Sequence, residues 1–367
     1  MKVGILTFHR ADNYGSALQA FALSKVLEKL KHEPEIVDFI YEKDLEQYKY
    51  FRTHLYKTRK KAIFADILYL HRNKMRKKNF ERFRMDYLNI TDKSYFFSKD
   101  KLDELNNDFD AFICGSDQIW NLNCTENFVP EYFLSFVNDD KIKISYAPSM
   151  PSKVDTKYYE EIKFNVERLD NVSVREKFTV NYLKDELEIN KDIKHVVDPT
   201  LLLSADEYVK EFDLHSKDNE CYIFVYVLGG RDQHSTIINE INRVQEITGA
   251  KIKYTCNRVL KGLKNAEYCY GIGPKEFLEL LYNATYVVTD SFHATVFSIL
   301  FSKKLCVFPR SGSSSRMKEL LANLEIEHCL FEKQNDIWIN ENTSNRNLDY
   351  LNRIKAPSID FISNSLK

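Results

Sequence analysis

Short and almost continuously apolar runs alternate along the chain with longer amphipathic segments. Bounded by polar turns, these runs read VGILTF (residues 3–8), EIVDFI, DAFICG (110–115), KISYA (143–147), VSVRE (172–176), YIFVYVLG (222–229), KIKYTC (251–256), YVVTD (286–290) and KLCVFP (304–309). Short runs with hydrophobic residues at successive positions are typical of strands that are buried on both faces of a parallel sheet.

The segments between these runs predict helices that cross from one strand to the next. The first has an apolar stripe through Leu23, Val26, Leu27 and Leu30 and is predicted over residues 16–30. Further helices are predicted near residues 233–248, 274–283, 292–302, 315–324 and 346–364. Parallel strands with helical crossovers predict the α/β class, here as two Rossmann-like, doubly wound domains.

The two predicted domains meet near residue 205. Residues 201–220 are the least periodic stretch, so we expect the first domain over residues 1–205 and the second over residues 206–367. The helix predicted over residues 346–364 has no strand after it, and one option is that it packs back on the first domain. Domains of this size can each bury a hydrophobic core.

Composition and charge exclude several classes of function. The 367 residues include 53 Lys and Arg against 54 Asp and Glu, and this net charge of -1 lacks the basic excess of general nucleic-acid binding. No run approaches the roughly 20 apolar residues that span a bilayer. The polar loop after MKVGILTF does not resemble a secretory cleavage site. We therefore expect a cytoplasmic protein.

The cysteines and histidines predict neither disulfides nor a metal site. The seven cysteines form no CxxC pair, and four of them, Cys114, Cys221, Cys256 and Cys306, lie in or beside apolar runs, as expected of reduced thiols in a core. None of the nine histidines is paired with another at metal-ligand spacing. We predict no bound metal and no cofactor.

One segment is strongly basic, although the chain as a whole is nearly neutral. Residues 57–78 carry nine Lys and Arg against the single Asp66 and enclose the apolar stretch AIFADILYL, which predicts a basic helical insertion near residues 57–89. Two interpretations stay open. The insertion is either a solvated helix that forms salt bridges elsewhere, or a basic amphipathic helix that docks on a partner or on an anionic membrane surface. The membrane interpretation would place the protein at the inner face of the membrane.

The turn HRADNYGSALQ (9–19) follows the first predicted strand. Asn13 or Ser16 is a suitable helix cap, Gly15 relaxes the backbone, and His9 or Arg10 is placed to meet an anion. The dinucleotide fingerprint GxGxxG is absent here and elsewhere in the chain. A capped helix start with incidental polar residues is an equally good interpretation.

The turn CGSDQIWN (114–121) follows another predicted strand. Asp117, Gln118, Trp120 and Asn121 together suit a ligand with many hydroxyl groups, because an indole stacks on a sugar face while carboxylate and amide groups bind hydroxyls. A helix cap beside a core tryptophan explains the same residues equally well.

Arg175 lies where the strand-like VSVRE gives way to a helix that begins near Lys177. A guanidinium at this position is able to hold a carboxylate or a phosphate through two parallel hydrogen bonds. The alternative is a structural ion pair with Glu176 or another carboxylate.

The turn TDSFHATVFS (289–298) places a histidine in the first turn of a helix. Ser291 is the predicted cap after Asp290, and the free backbone N–H groups that follow form an anion site. His293 is an unusual residue there, because the helix dipole favours a neutral imidazole. Its presence indicates a function, and the alternative is a structural histidine for which the nearby Asp290 offsets the dipole. In the later segment SGSSSR (311–316), hydroxyls and Arg316 are placed to close over the same anion, or the segment is only a loop before the helix at Met317.

Six motifs at these turns occur together in the order found in one known family. They read TFHRADNYGSALQAFAL, FDAFICGSDQIWN, SYAPSM, SVRE, VVDPTLLL and TDSFHATVFSILF, and they lie within residues 3–325. In this set the chain resembles the polysaccharide pyruvyl transferase family. It departs from the usual pattern at Ala294, where the family commonly has glycine, and at Pro148 and Pro151.

The resemblance implies a fold similar to the GT-B glycosyltransferases, with two Rossmann-like domains facing a cleft. It implies a transferase that moves the pyruvate unit of phosphoenolpyruvate onto two hydroxyls of a sugar and forms a ketal in a cell-surface polysaccharide or its precursor. Phosphoenolpyruvate would be a substrate, with no separate cofactor. The acceptor would be a sugar or a lipid-linked oligosaccharide.

The resemblance also implies roles for the residues at the turns. His293 matches the family's acid or phosphate ligand, with Asp290 beside it, and Arg175 matches its anion-binding arginine. Asp117 would act on the acceptor. Further donor-binding residues on this basis are Ser291, Ser313 and Arg316, and further acceptor-binding residues are Asn13, Tyr14, Gly15, Gln118, Trp120 and Asn121.

Two other functions stay open. One is a nucleotide-sugar glycosyltransferase on the same scaffold, although a Glu that holds the ribose often lies three residues after a Thr, and here Ser298 follows Thr295 at that spacing. The other is a non-catalytic member that binds a glycan or a partner enzyme. The non-catalytic interpretation is opposed by the presence of Asp290, His293, Arg175 and Asp117.

Overall fold

The protein forms two units, each with its own parallel sheet. The computed structural model describes residues 1–46, 48–53, 56, 62–97, 99–216, 220–229, 234–256, 259–309, 314–333, 336–343 and 348–367. The first unit contains Met1–Leu202 and Arg353–Lys367, and the second contains Leu203–Asn352.

The first unit is built on a seven-stranded parallel sheet. Its strands are β1 (Lys2–Leu6), β2 (Glu33–Ile40), β3 (Ile90–Phe96), β4 (Ala111–Cys114), β5 (Ile142–Ser145), β6 (Asn171–Val174) and β7 (Ile193–His195). They lie in the order β3-β2-β1-β4-β5-β6-β7, and every neighbouring pair is parallel. The order reverses between β1 and β4, and ligands of such sheets bind outside the carboxyl ends of the strands at this reversal, the topological switch point.

Helices connect these strands. They are α1 (Tyr14–Lys29), α2 (Glu42–Glu46), α3 (Ala62–Leu68), α4 (Leu70–Tyr87), α5 (Leu122–Thr125), α6 (Tyr159–Arg168) and α7 (Lys177–Asn181), with shorter helical turns at Asp103–Asn107, Pro130–Phe133, Thr156–Tyr158, Tyr182–Glu186 and Pro199–Leu201. Helix α1 is buried along most of its length, so it lies within the first unit and not at its surface.

The second unit has a five-stranded parallel sheet in the order β10-β9-β8-β11-β12. Its strands are β8 (Tyr222–Tyr226), β9 (Lys251–Tyr254), β10 (Ala266–Tyr268), β11 (Tyr286–Thr289) and β12 (Lys304–Val307). Its helices are α8 (Ala205–Phe212), α9 (His234–Thr248), α10 (Pro274–Asn283), α11 (Phe292–Leu300), α12 (Ser314–Asn323) and α13 (Ile337–Asn340), with a short helical turn at Glu327–Cys329. The order reverses between β8 and β11, which places a second switch point there.

The last helix of the chain, α14, spans Leu348–Ser365. Its final residues belong to the first unit, where the Val197 backbone N–H donates to Ser358 Oγ at 3.1 Å and the ring of Phe361 lies 6.4 Å from that of Tyr146.

The apolar runs of the sequence form the interiors of both sheets, and the predicted class of two parallel α/β units is confirmed. Three strands were not predicted: β3, β7 and β10. Each lies at an edge of its sheet and exposes more of its residues than the central strands do. An edge strand has a neighbour on one side only, so its sequence is less apolar and the pattern that identifies buried strands is weak.

The cysteines follow the prediction with one exception. Cys114, Cys256 and Cys306 are buried, as expected of core thiols. The expectation for Cys221 is wrong, since this residue is exposed. It directly precedes β8 and therefore does not share the burial of that strand.

Gly115 ends β4 in a conformation that only glycine accepts here. Its φ is +122°, and a Cβ at this position would lie 2.1 Å from the backbone oxygen of Tyr146. That oxygen belongs to the neighbouring connection after β5, so the backbones of two adjacent turns approach closely at the carboxyl edge of the sheet. The turn that carries Asp117 depends on this approach.

We expect Gly115→Ala to lower the free energy of unfolding by about 3 kcal/mol or more, because the added methyl group overlaps backbone that has no room to move. Gly249→Ala is the matched control. Gly249 also has a positive φ, +67°, but no atom lies within 4 Å of its added Cβ. The control should lower the free energy of unfolding by about 1–2 kcal/mol, because only the left-handed backbone is unfavourable there. Equal losses of unfolding free energy for the two variants, measured by urea denaturation, would contradict the steric argument.

Candidate functional site

The polar turns singled out in the sequence lie at the carboxyl ends of the parallel strands. In the first unit, the turns after β1 and β4 flank the switch point. The side chain of Gln19 joins them, since its Nε2 donates to Thr7 Oγ1 at 2.8 Å and its Oε1 accepts from the Ser116 backbone N–H at 3.1 Å. Both partners are buried, so the two turns are held in fixed register.

Of the two cap candidates in the sequence, Asn13 and not Ser16 caps α1, which begins at Tyr14. Its Oδ1 accepts from the backbone N–H of Gly15 at 2.9 Å and of Ser16 at 3.3 Å. Gly15 is buried in the first turn of the helix. These contacts place Asn13 and Gly15 beside the switch point.

Tyr14 does not line a ligand site, contrary to the expectation. It is fully buried, its ring stacks on Phe80 with the ring centres 5.3 Å apart, and the Arg76 guanidinium lies 4.9 Å from the ring centre. The ring holds α4 against α1, which the pattern of the N-terminal turn alone does not reveal.

Asp117 lies at the centre of the first switch point. Its Oδ2 accepts from Ser16 Oγ at 2.5 Å, and its Oδ1 accepts from the Gln118 backbone N–H at 2.9 Å. The residue is 6% exposed and has a φ of +64°. The carboxylate thus joins the start of α1 to the turn after β4.

Gln118 and Asn121 form a connected polar pair. Asn121 Nδ2 donates to Gln118 Oε1 at 2.7 Å, and Asn121 Oδ1 accepts from the Asn123 backbone N–H at 3.1 Å as the cap of α5. Gln118 is only partly buried, whereas Asn121 is 7% exposed. Gln118 is therefore the more accessible of these two predicted acceptor ligands.

Trp120 belongs to the core, and its predicted stacking on a sugar is not supported. The indole is fully buried, its ring stacks on Phe133 at 4.7 Å between ring centres, and its Nε1 donates to the backbone oxygen of Tyr132 at 2.9 Å. The alternative of a helix cap beside a core tryptophan describes this turn correctly.

His9 and Arg10 meet an anion, but it is a carboxylate of the chain itself. His9 Nε2 lies 2.8 Å from Asp38 Oδ1, and Arg10 donates to both carboxylate oxygens of Asp38. Burial alone would raise the pKa of Asp38, but hydrogen bonds from His9, Arg10 and Ser94 bring it well below its usual range. This cluster ties β2 to the turn after β1.

Arg175 is also paired within the chain. Its Nη1 donates to Asp198 Oδ2 at 2.5 Å, its Nε lies 3.4 Å from Glu176 Oε1, and its side chain is 4% exposed. Burial would lower the pKa of the guanidinium, but the charges of Asp198, Glu176 and Asp117 raise it above its usual value. Arg175 therefore stays charged, and carboxylates already compensate its charge before any donor binds.

Asp198 is the most important residue that the sequence reasoning did not assign to the site. Its Oδ1 accepts from the backbone N–H and the hydroxyl of Thr200, and its Oδ2 accepts from Arg175 and from Ser116 Oγ at 3.4 Å. The only indication in the sequence is the motif VVDPTLLL, in which Asp198 precedes a proline as turn-forming residues often do.

Tyr48 was also missed. Its side chain forms a hydrogen bond with that of Asn13. Burial raises the pKa of the phenol above its usual range against the opposing effect of Arg76, and the charges of Asp12 and Asp117 add to the rise. Tyr48 thus lies near Asn13 and Asp117, although it belongs to a stretch without periodicity.

Asp290 lies at the switch point of the second unit and connects the two strands that flank it. Its Oδ1 accepts from the Leu228 backbone N–H at 2.7 Å, and its Oδ2 accepts from the Gly229 backbone N–H at 2.6 Å. The residue is 1% exposed. This carboxylate joins the ends of β11 and β8, so the geometry favours a positioning role over the predicted catalytic one.

Ser291 and His293 occupy the predicted places at the start of α11. Ser291 Oγ accepts from the Ala294 backbone N–H at 3.4 Å, which caps the helix as expected. His293 is partly buried in the first helical turn, with its ring 5.4 Å from that of Phe292. The hydroxyl of Thr295 donates to the Ser291 backbone oxygen at 2.9 Å and fixes this turn further.

The remaining donor candidates cannot be placed in the same way. Ser313 lies outside the described residues, and Arg316 lies in α12 with a side chain outside the described part of the chain.

Within the described residues, no three His, Cys, Asp or Glu side chains form a group suited to a metal ion. In the same residues, none of the helices combines the length and the apolar character needed to cross a membrane.

Removing the charge of Arg175 should destabilise the protein strongly. We expect Arg175→Met to lower the free energy of unfolding by about 3–5 kcal/mol, because Asp198 would be left buried without its counter-charge. Lys194→Met is the control, since Lys194 pairs with Asp192 at 2.8 Å in an exposed position and should cost less than about 1 kcal/mol. In urea denaturation, a loss for Arg175→Met no larger than that of the control would contradict this role.

The Asp38 cluster predicts a dependence of stability on pH. Because the folded pKa lies below the unfolded one, the ionised carboxylate stabilises the fold at neutral pH, and this contribution declines once the pH falls below about 4. The difference in unfolding free energy between the wild type and Asp38→Asn should therefore be largest near neutrality and shrink below about pH 4. Asp92→Asn, which removes an exposed carboxylate of β3, is the control. A difference that stays constant down to pH 3 would contradict the prediction.

Several solved structures have a similar fold. UDP-GlcNAc 2-epimerase from Neisseria meningitidis, solved with UDP-GlcNAc, is 10% identical with a TM-score of 0.50 over 100% of this chain and 99% of that chain. The corresponding enzyme from Methanocaldococcus jannaschii is 13% identical with a TM-score of 0.48 over 88% and 87% of the two chains. An α-glucosyltransferase in complex with UDP is 10% identical with a TM-score of 0.47 over 100% and 93%.

The similarity to the Neisseria meningitidis enzyme concerns the fold alone, and it agrees with the predicted GT-B-like class of two parallel α/β units. Among curated protein sequences, none matches the chain. The sequence profile of the family described as polysaccharide pyruvyl transferase matches residues 13–312, which include the turns that carry Asn13, Asp117, Arg175 and His293. The chain therefore belongs to the polysaccharide pyruvyl transferase family.

Proposed function

We propose that this protein is a transferase that moves the pyruvate unit of phosphoenolpyruvate onto two hydroxyls of one sugar. The acceptor would be a sugar of a cell-surface polysaccharide or of its lipid-linked precursor, reached from the cytoplasm. The observation that carries this proposal is the family match over residues 13–312, which includes the turn Asp290-Ser291-Phe292-His293 at a helix start.

The proposed reaction has three chemical requirements. The methylene carbon of the donor gains a proton, a first sugar hydroxyl adds to the neighbouring carbon, and a second hydroxyl then replaces the phosphate and closes the ketal. Each sugar hydroxyl loses its proton, and inorganic phosphate leaves. The site must therefore supply an acid, a base for the hydroxyls and an environment that accepts the charge of the departing phosphate.

The start of α11 is suited to the donor. The positive end of its dipole attracts a phosphate, and Ser291 and His293 lie in the same turn. We assign His293 the role of acid or phosphate ligand.

The first switch point is suited to the acceptor. Asp117 is an acceptor of hydrogen bonds there, Gln118 is accessible beside it, and Asn13 lies at the start of α1. We assign Asp117 to the sugar hydroxyls, with Gln118 and Asn121 as further ligands. Arg175 is already paired with Asp198. We therefore assign Arg175 the role of balancing the buried carboxylates at this edge of the sheet, and it would influence the donor only through its pair with Asp198.

Calorimetric titration with phosphoenolpyruvate tests the donor assignment without knowledge of the acceptor. We expect saturable binding to the wild type and about a tenfold or greater loss of affinity in His293→Ala, because a charge-assisted hydrogen bond to the phosphate disappears. His215→Ala is the control, since His215 belongs to the same unit and its side chain is 74% exposed. Its affinity should equal that of the wild type.

One further variant and a ligand panel make the result decisive. Arg175→Lys keeps the charge that Asp198 needs, so its affinity can be measured in a folded protein. Binding of a nucleotide sugar in place of phosphoenolpyruvate would make the protein a glycosyltransferase and overturn the roles given to His293 and Arg175. Equal phosphoenolpyruvate affinity in His293→Ala and His215→Ala would remove His293 from the donor site.

A further inference from the structure

Helix α3 has its apolar and polar sides reversed relative to an ordinary surface helix. Its hydrophobic residues are exposed, with Phe64 73%, Ile67 58% and Leu68 74% accessible and Ile63 39% accessible. Its acidic residue, Asp66, is fully buried. A helix that packs on a core buries its apolar side, so this arrangement requires another explanation.

Asp66 fixes the reversed orientation. The Arg52 backbone N–H donates to Asp66 Oδ2 at 2.8 Å, Arg52 Nε donates to Oδ1 at 2.9 Å, and the Tyr56 hydroxyl donates to Oδ2 at 3.0 Å. Rotating the helix to bury Phe64 or Leu68 would break this buried carboxylate cluster. The four hydrophobic side chains Ile63, Phe64, Ile67 and Leu68 follow one another at the spacing of a single helix face. We call them the α3 face.

The next helix, α4, presents cations instead. Lys74, Lys78 and Arg82 are exposed and lie on one side of the helix at spacings of four residues, with the exposed Met75 and Met85 among them. The side toward the core carries the buried Phe80, Phe83 and Arg84. We call Lys74, Lys78 and Arg82 the α4 stripe. Residues 62–87 contain seven Lys and Arg against three Asp and Glu, whereas the whole chain has a net charge of -1.

We propose that the α3 face and the α4 stripe form a docking surface for an anionic phospholipid membrane. An exposed apolar face inserts between headgroups, and adjacent cations are attracted to anionic lipids. The proposal is independent of the donor chemistry, since α3 and α4 belong to the first unit, α11 belongs to the second, and the binding is measured without phosphoenolpyruvate.

Charge favours a membrane over a second copy of the chain. A symmetric contact between two copies through this surface would bring the α4 stripe against itself, and like charges in contact destabilise an interface. An anionic lipid surface complements both features.

Vesicle flotation tests the surface with the full chain. Vesicles of phosphatidylcholine alone are compared with vesicles of phosphatidylcholine and phosphatidylglycerol mixed at about 2:1, at low and at high salt. We expect binding only to the anionic vesicles, weakened by salt. Phe64→Ser with Leu68→Ser, and separately Lys74→Glu with Lys78→Glu, should each lower the fraction bound by about tenfold.

Matched controls separate this surface from a general effect of exposed residues. Phe164→Ser replaces a phenylalanine of α6 that is 63% exposed, and Lys101→Glu with Lys184→Glu replaces two exposed lysines outside the insertion. Both should bind anionic vesicles like the wild type. Flotation of the wild type no better with anionic than with neutral vesicles, or equal losses in controls and test variants, would overturn the proposal. A change of oligomeric state in Phe64→Ser/Leu68→Ser without vesicle binding by the wild type would instead make the α3 face a contact between copies.

Discussion

The buried contact between Arg175 and Asp198 constrains the carboxyl ends of four adjacent strands in the first sheet. Two charges removed from water are stable only when their partners are in place, so the connections that supply them must adopt one arrangement together. Ser116 after β4 donates to Asp198, and Ser149 after β5 donates to Glu176 at 2.5 Å. The turns after four adjacent strands, β4 to β7, therefore form one polar network, and Asp117 belongs to one of those turns.

In the second unit, another buried carboxylate joins neighbouring connections. Asp290 links its two central strands through the backbone N–H groups of Leu228 and Gly229. Burial of one carboxylate on two amide donors fixes the end of β11, and the helix that carries His293 begins two residues later. In both units a carboxylate sets the position of the adjacent helix start, so the acidic residues of both sequence motifs have a structural role, to which the acceptor role proposed for Asp117 is added.

Much of the fold and part of the candidate site could be predicted from the sequence. Central strands and helix caps depend on local patterns, so β8, β11, Asn13 and Ser291 were identified correctly. Edge strands such as β3 lack the apolar pattern. Trp120 packs on Phe133 and Tyr14 packs on Phe80, and neither partner lies in the same motif as the ring it contacts. A local sequence pattern therefore does not distinguish an aromatic ring that contacts a ligand from one that packs in the core.

The first unit is composed of two stretches of chain, with the second unit encoded between them. Residues 353–367 supply Ser358 to Val197 and Phe361 to Tyr146, and Tyr146 also donates to the Val197 backbone oxygen at 2.9 Å. During synthesis these partners leave the ribosome after the second unit. The first unit therefore remains incomplete until after the second has been made, so its final packing is a late step in biogenesis although most of its residues emerge early.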